Sequence, residues 1–158
     1  KRFPVYQRRG VWMIQSKNVS VNTHQAAKRI GTRLRDGHHV TTAGPKTTLQ
    51  TAAQKMIQSN IGCLVVLDDE TDGDYMIGMV TERDCMRAIA EKNVSSLNDS
   101  VVADIMTPLT QIVTAQCKGS ISSEECFKIM LTHNIRHLPL CDEQDVVFRV
   151  LSLKDVAA

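Results

Sequence analysis

The apolar positions of this chain follow two rhythms, one of helices and one of strands, and the pair of rhythms occurs twice. Leu49, Ala52, Ala53, Met56 and Ile57 fall at i, i+3, i+4, i+7 and i+8, the spacing of one buried helix face. Thr47 or Thr48 is placed to cap that helix, and Asn60-Ile61-Gly62 ends it. Cys63–Leu67 is an unbroken apolar run and predicts a buried strand. Residues 68–74 read as an acidic turn, residues 75–80 as the next strand, and residues 84–90 as the opening of a second helix. Val40-Thr41-Thr42 is a short extended piece ahead of the first helix. The predicted order is strand, helix, strand, strand, helix, an α/β (α+β) unit.

The same order returns downstream. Cys126, Phe127, Met130 and Leu131 repeat Ala52, Ala53, Met56 and Ile57 at an offset of 74 residues. Thr81 and Ser152, which close the last strand of each copy, stand 71 residues apart. A repeat at near-constant offset is one folding unit used twice. The polar stretch 91–101 reads as a linker, which gives a first repeat over 38–95 and a second over 96–158. Ahead of them, Ala26, Ala27, Ile30 and Leu34 recur at helical spacing and predict a basic helix over 24–37. Residues 1–23 hold no period and predict an extended basic arm.

Charge separates these regions further. Residues 1–46 carry ten Lys/Arg and one acid, a net of +9, whereas residues 47–158 carry nine basic and sixteen acidic side chains, a net of −7. At 158 residues, 42% hydrophobic and 4% aromatic, the chain is long enough for a sizeable and mostly aliphatic core. It contains no run of about 18 apolar residues, the length of a membrane-spanning helix. The cysteines at 63, 85, 117, 126 and 141 form no C-x-x-C pair and predict reduced, buried thiols in an intracellular protein. The Arg-rich, acid-poor start has the composition of a mitochondrial targeting segment or its remainder, and Lys1 is read either as a processing site or as an arbitrary boundary. The expected location is mitochondrial, with cytoplasmic as the alternative.

Chemistry-bearing residues are few. Each copy ends a strand in Thr81 or Ser152 and follows it three residues later with Asp84 or Asp155. A hydroxyl and a carboxylate where a strand enters a helix suit a sugar and a phosphate, because helix N-terminal amides face the anion. The plainer role for such an Asp is a helix cap. His38-His39 lacks a third ligand at metal spacing, and residues 68–74 do not match a calcium loop, so no metal is expected. Met106 and Met130 read as core, and Gly78 belongs to no dinucleotide fingerprint. With no nucleophile–base pair or paired carboxylates, the chain is not expected to be an enzyme.

Three stretches carry a family resemblance: Gly78-Met79-Val80-Thr81-Glu82-Arg83-Asp84, Val102-Ala103-Asp104-Ile105-Met106-Thr107 and Asn134-Ile135-Arg136-His137-Leu138-Pro139-Leu140. In that order they resemble a tandem pair of CBS domains, the Bateman module, over about residues 38–158. The whole chain is similar to short plant-type organellar proteins built of little besides one CBS pair. The resemblance implies two three-stranded sheets with flanking helices, packed as a pseudo-twofold pair around two nucleotide clefts. It implies a first cleft of Thr42, Thr81 and Asp84 completed by Arg136 and His137 of the opposite repeat. The bland readings are a surface ion pair for Arg136 and a packed strand residue for His137. A second, weaker cleft would hold Ser152, Asp155 and Arg149, with Arg149 where the first repeat has Gly78. The implied ligand is AMP, ADP or ATP, less readily NADH or S-adenosylmethionine, and no cofactor is required.

Two functions follow as expectations. The first is a regulatory or accessory subunit that binds adenine nucleotide within a larger, mitochondrial assembly. The second is a purely structural supernumerary subunit of such a membrane complex, with vestigial sites. In both, Phe3, Tyr6, Arg8, Arg9 and Trp12 of the arm are the expected docking contacts, since aromatics and Arg carry interface energy. A CBS-mediated homodimer is a further expected contact. The acidic module argues against a nucleic-acid partner.

Overall fold

A computed structural model describes residues 6–8, 11–13, 19–22, 32–33, 40–70, 75–91, 97–117 and 121–157, with side chains from residue 40 onward. They fall into two packing units, one of residues 26–112 and one that joins residues 1–25 to 113–158.

The N-terminal segment supplies four short strands. β1 (Tyr6–Arg8) and β2 (Val11–Met13) form an antiparallel hairpin with Gln7 opposite Trp12. β3 (Val19–Asn22) joins the sheet of the second unit, and β4 (Thr32–Arg33) joins that of the first. The segment expected as one extended arm is therefore a hairpin followed by an edge strand. Within the expected basic helix over 24–37, Thr32 and Arg33 are a strand; the rest of that expectation lies outside the described residues. The outer edge of the neighbouring strand supplies hydrogen-bond partners for an extended chain, which an isolated short helix lacks.

The first repeat follows its pattern closely. β5 (Thr42–Ala43) leads to α1 (Leu49–Ser59), where the Thr48 side chain accepts from the Thr51 amide at 3.2 Å. Asn60 ends the helix in the left-handed region at φ 52°, and the Ile61 amide reaches back to the Met56 carbonyl at 3.0 Å. β6 (Cys63–Leu67), β7 (Tyr75–Thr81) and α2 (Glu82–Glu91) complete the unit. A 3-10 turn at Val102–Asp104 and β8 (Thr107–Pro108) then pack back onto it. The sheet runs β4-β7-β6-β5, and β8 shares the outer edge of β7 with β4.

The second repeat uses β9 (Thr114–Cys117), α3 (Ser123–Thr132), β10 (His137–Cys141), β11 (Val147–Ser152) and α4 (Leu153–Val156). Its sheet runs β11-β10-β9-β3. The turn after α3 copies the turn after α1: Asn134 has φ 52°, and the Ile135 amide bonds the Met130 carbonyl at 2.9 Å. Each unit thus has a three-stranded CBS-like core widened by added strands.

The two cores sit under the helices. Ala43, Ala52, Met56, Leu64, Val66, Val80, Cys85 and Val102 form one, and ten residues from Val113 to Val156, including Met130, Leu138 and Leu140, form the other. Leu64, Val65, Val66, Leu138 and Leu140 are buried as the apolar runs predict. Ile57 and its counterpart Leu131 are not: they are 77% and 61% exposed. The buried helix stripe is therefore narrower than the sequence spacing suggests, holding Leu49, Ala52 and Met56 in α1 and Cys126 and Met130 in α3.

Sequence repeat and packing unit divide the chain at different places. Residues 101–108 open the second repeat in sequence but pack into the first unit. The Val102 amide bonds the Thr47 carbonyl at 2.8 Å, the Ala103 amide bonds the Pro45 carbonyl at 2.9 Å, and Val102 is fully buried in the first core.

Candidate ligand site

Both strand-to-helix junctions are built alike. Asp84 Oδ2 accepts from the Thr81 amide at 2.9 Å and from Thr81 Oγ1 at 2.6 Å. Asp155 Oδ2 accepts from the Ser152 amide and from Ser152 Oγ, both at 2.7 Å. This is the reciprocal capping arrangement of a Ser/Thr and an acid three residues on. It presents a second carboxylate oxygen beside the first-turn amides of a helix. Asp84 is buried at 8% exposure, and its Oδ1 lies 3.6 Å from the Arg87 guanidinium one turn along α2.

Behind each junction stands the start of the middle strand of the same repeat. Cys63 is opposite Thr81, and the Glu82 amide bonds the Gly62 carbonyl at 3.1 Å. His137 is opposite Ser152, and the Leu153 amide bonds the Arg136 carbonyl at 2.8 Å. Within one unit, then, Arg136 and His137 adjoin Ser152 and Asp155, while Thr81 and Asp84 adjoin the uncharged Gly62 and Cys63.

Strand register sorts the remaining candidates by face. Thr42 pairs with Val65, Val65 with Met79 and Cys63 with Thr81, so Thr42 and Thr81 share the sheet face turned away from the helices. Arg149 pairs with Leu140 and is two residues from Leu151, so it lies on the helix face; Ser152 and His137 lie on the other. There Arg149 borders a small surface crevice with Ile121, Ser123, Cys126, Leu140, Leu151, Asp155 and Val156. Tyr6, Arg8 and Trp12 fall in the β1–β2 hairpin, and Phe3 and Arg9 lie outside the described residues, as do His38 and His39.

Two cations were not anticipated from sequence. Lys55 donates from Nζ to the Thr42 carbonyl at 3.0 Å, on the edge strand of the first sheet. Arg87 approaches Asp84 from three positions along the helix, a pairing that helical spacing alone would have flagged. Nothing in sequence separation points from Lys55 to Thr42.

The cysteines are core residues. All five are buried thiols that form no disulfide. Burial pushes the thiols of Cys117, Cys126 and Cys141 up to about 12, and burial followed by the neighbouring Asp84 raises that of Cys85. Such thiols stay protonated near neutrality and are poor nucleophiles. Among the described residues no three His, Cys, Asp or Glu side chains are placed to share a metal ion. No helix among them is long and apolar enough to cross a membrane.

A family model described as "CBS domain" matches residues 35–91 and again 102–158. The chain belongs to the CBS-domain family, with the domain present as a pair. A curated relative, the mitochondrial CBS domain-containing protein CBSX3 of Arabidopsis thaliana, is 30% identical over 109 residues, covering 69% of this chain and 50% of its own. This chain likewise spans 62% of the length of a relative from Acidianus ambivalens, at 28% identity. The crystal structure of the CBS-domain protein ATU1752 from Agrobacterium tumefaciens superposes with a TM-score of 0.64 at 29% identity, covering 77% of this chain and 84% of that one. CBSX2, solved in complex with AMP, shares the fold at a TM-score of 0.54 and 24% identity, over 80% of this chain and 90% of its own.

Proposed function

We propose that this CBS pair is a non-catalytic regulatory module that binds an adenine nucleotide at its strand-to-helix junctions. The observation that carries the reading is the twice-built arrangement of hydroxyl, carboxylate and helix amides inside a family-matched CBS pair. The nucleotide needs an apolar wall for the base, a carboxylate for the ribose hydroxyls and donors for the phosphate. Thr81 and Asp84 supply the ribose end and Thr42 borders the base. Arg136 and His137 are the proposed phosphate donors, and Ser152 and Asp155 make a weaker second position without Arg149, which register turns to the opposite face. The AMP carried by CBSX2 supports the ligand class. The mitochondrial relative CBSX3 supports a mitochondrial location; a regulatory or accessory role in a larger assembly belongs to the same proposal. CBS-mediated homodimerisation and docking through residues 1–23 belong to the same reading.

Calorimetric titration of the full chain with AMP, ADP and ATP tests it. Asp84→Ala is expected to abolish binding, at a cost of about 1.5–3 kcal/mol for one charge-assisted contact, and Asp155→Ala to change it little. The reverse order refutes the site assignment. Asp84→Asn, which keeps the shape of the cap, separates loss of ligand from loss of fold. A second reading, a purely structural subunit, is favoured by one observation: each Asp already has a structural task, holding its own Thr or Ser and backbone amide. Native mass spectrometry that finds the purified protein empty, with flat titrations, would decide for that reading.

A further inference from the structure

The two strand-to-helix junctions share a cap but differ in charge. At the 71-residue offset, Thr81, Arg83 and Asp84 have the counterparts Ser152, Lys154 and Asp155, each of the same chemistry. Arg87 has no such counterpart: the residue at its offset is Ala158. The strand start beside each junction differs the other way. Gly62 and Cys63 stand at the first, where Arg136 and His137 stand at the second. The first junction thus has no charge at its own strand start, and α2 brings a cation to it through Arg87.

The position of that cation is specific. Asp84 Oδ2 accepts from the Thr81 amide at 2.9 Å and from Thr81 Oγ1 at 2.6 Å, which uses both of its lone pairs. A ribose hydroxyl therefore has Oδ1 as its acceptor. The Arg87 guanidinium stands 3.6 Å from that same oxygen, an ion-pair distance longer than a hydrogen bond. Asp84 is only 8% exposed and is fixed by its cap, whereas the Arg87 side chain is 55% exposed and can turn without disturbing the core.

We propose that Arg87 is the charge-selecting residue of this junction, which makes it prefer an adenosine that carries a phosphate over adenosine itself. The proposal rests on the nucleotide reading and names what decides the ligand's charge. A lone buried carboxylate attracts ribose hydroxyls but repels a phosphate. The ribose diol and the 5′-phosphate of a nucleotide lie closer together than the Debye length of about 8 Å, so a nucleotide seated on Asp84 feels both charges of the pair. Arg87 offsets the repulsion. When a ribose hydroxyl takes Oδ1, the guanidinium turns to the phosphate, and neither charge is left without a partner. Adenosine displaces Arg87 from Oδ1 and offers it nothing in return. A purely structural i, i+3 pair at this exposure would add little to the fold and would not discriminate between the two ligands.

The test is calorimetric titration of the full chain with AMP and with adenosine, for wild type, Arg87→Ala and Arg87→Lys. Wild type is expected to bind AMP more tightly than adenosine. Arg87→Ala should lower the ratio of AMP to adenosine affinity about tenfold, the scale of one charge-assisted contact, and Arg87→Lys should restore most of it. Arg87→Gln keeps the aliphatic stem without the charge and gives the same readout if the alanine variant does not fold. A wild type that binds AMP but keeps its ratio after Arg87→Ala or Arg87→Gln, or loses affinity for both ligands equally, overturns this proposal alone. A wild type that binds neither ligand overturns the nucleotide reading and this proposal with it.

Discussion

The two repeats share their caps, their left-handed Asn turns and their core positions, yet they cover their sheet edges in opposite ways. In the first, β4 and β8 lie along the outer edge of β7, and β5 ends the sheet among the described residues. In the second, β3 lies along the outer edge of β9, and β11 ends the sheet among the described residues. Each terminal edge keeps a cation near it: Lys55 on the Thr42 carbonyl, Arg149 beside the surface crevice. A sheet edge exposes a row of donors and acceptors that must be paired, covered or guarded. The repeat dictates the core, and the intervening chain decides which edge each copy leaves available. Features of the sheets that differ between the copies therefore cluster at edges.

The most severe way to break the comparison is to exchange the residues that differ at the matched position. Gly78→Arg places a side chain against the Thr107 carbonyl and Met106, neither of which has room for a Cβ. It is expected to cost about 3 kcal/mol, an overpacking loss made worse by a charge at a buried position. Arg149→Gly meets no such obstacle and should cost about 1 kcal/mol, mainly the conformational freedom of glycine in a strand. Urea denaturation of both variants checks the asymmetry. Equal losses would mean that residues 101–108 are not what distinguishes the two copies at this position.

Much of this was legible in the sequence, and the failures share a cause. The helix stripe, the Cys63–Leu67 strand and the Ser/Thr–Asp junctions are local patterns, set within one or two turns of chain. Residues 102–108 read as the opening of a second repeat, but no local pattern says that Val102 is buried in the first core. Ile57 and Leu131 fit the helical spacing, yet spacing alone cannot tell how wide a stripe the sheet covers. The helical recurrence of Ala26, Ala27, Ile30 and Leu34 predicts helix at Thr32 and Arg33, whereas their pairing with β7 is a long-range event. Arg149 matches Gly78 by count, but only strand register shows that it points to the helix side, away from Ser152.

A milder comparison concerns the two first-helix caps. Thr48 caps α1 without an acid in the first turn, whereas Ser122 caps α3 reciprocally with Glu125, whose Oε2 takes the Ser122 amide and hydroxyl, both at 2.9 Å. Those hydrogen bonds, backbone first, hold the Glu125 carboxyl below its ordinary value. Each cap substituted by Ala should cost about 0.5–2 kcal/mol. Only the Ser122 contribution should depend on acid pH. A depressed carboxyl stabilises the fold above its unfolded pKa, and that stability is lost as pH falls through the folded one. Because Glu125 is exposed, solvent screening keeps the effect small. Melting curves at pH 7 and pH 3 check this: the gap between wild type and Ser122→Ala should narrow in acid, and that for Thr48→Ala should not.

The smallest effect, and the sharpest test of the edges, is Lys55→Ile. The counterpart of Lys55 at the 74-residue offset is Ile129, which packs partly buried against the second core, in the unit whose β9 edge is covered by β3. An aliphatic residue suffices where a strand covers the edge; a lysine stands where β5 ends the sheet and its carbonyl needs a donor. Lys55→Ile makes the first repeat copy the second without supplying a strand. The lost bond is partly exposed, and water can replace the ammonium, so the cost should be about 1 kcal/mol or less, a fall of about 2–4 °C in the melting temperature. Association is the more telling readout. Removing the guarding charge leaves a backbone acceptor beside a new apolar side chain, so light scattering should show a larger, concentration-dependent mass for Lys55→Ile than for wild type or Lys55→Arg. If all three share one mass across the concentration range, Lys55 is not guarding the edge, and the symmetry between the two terminal cations is accidental.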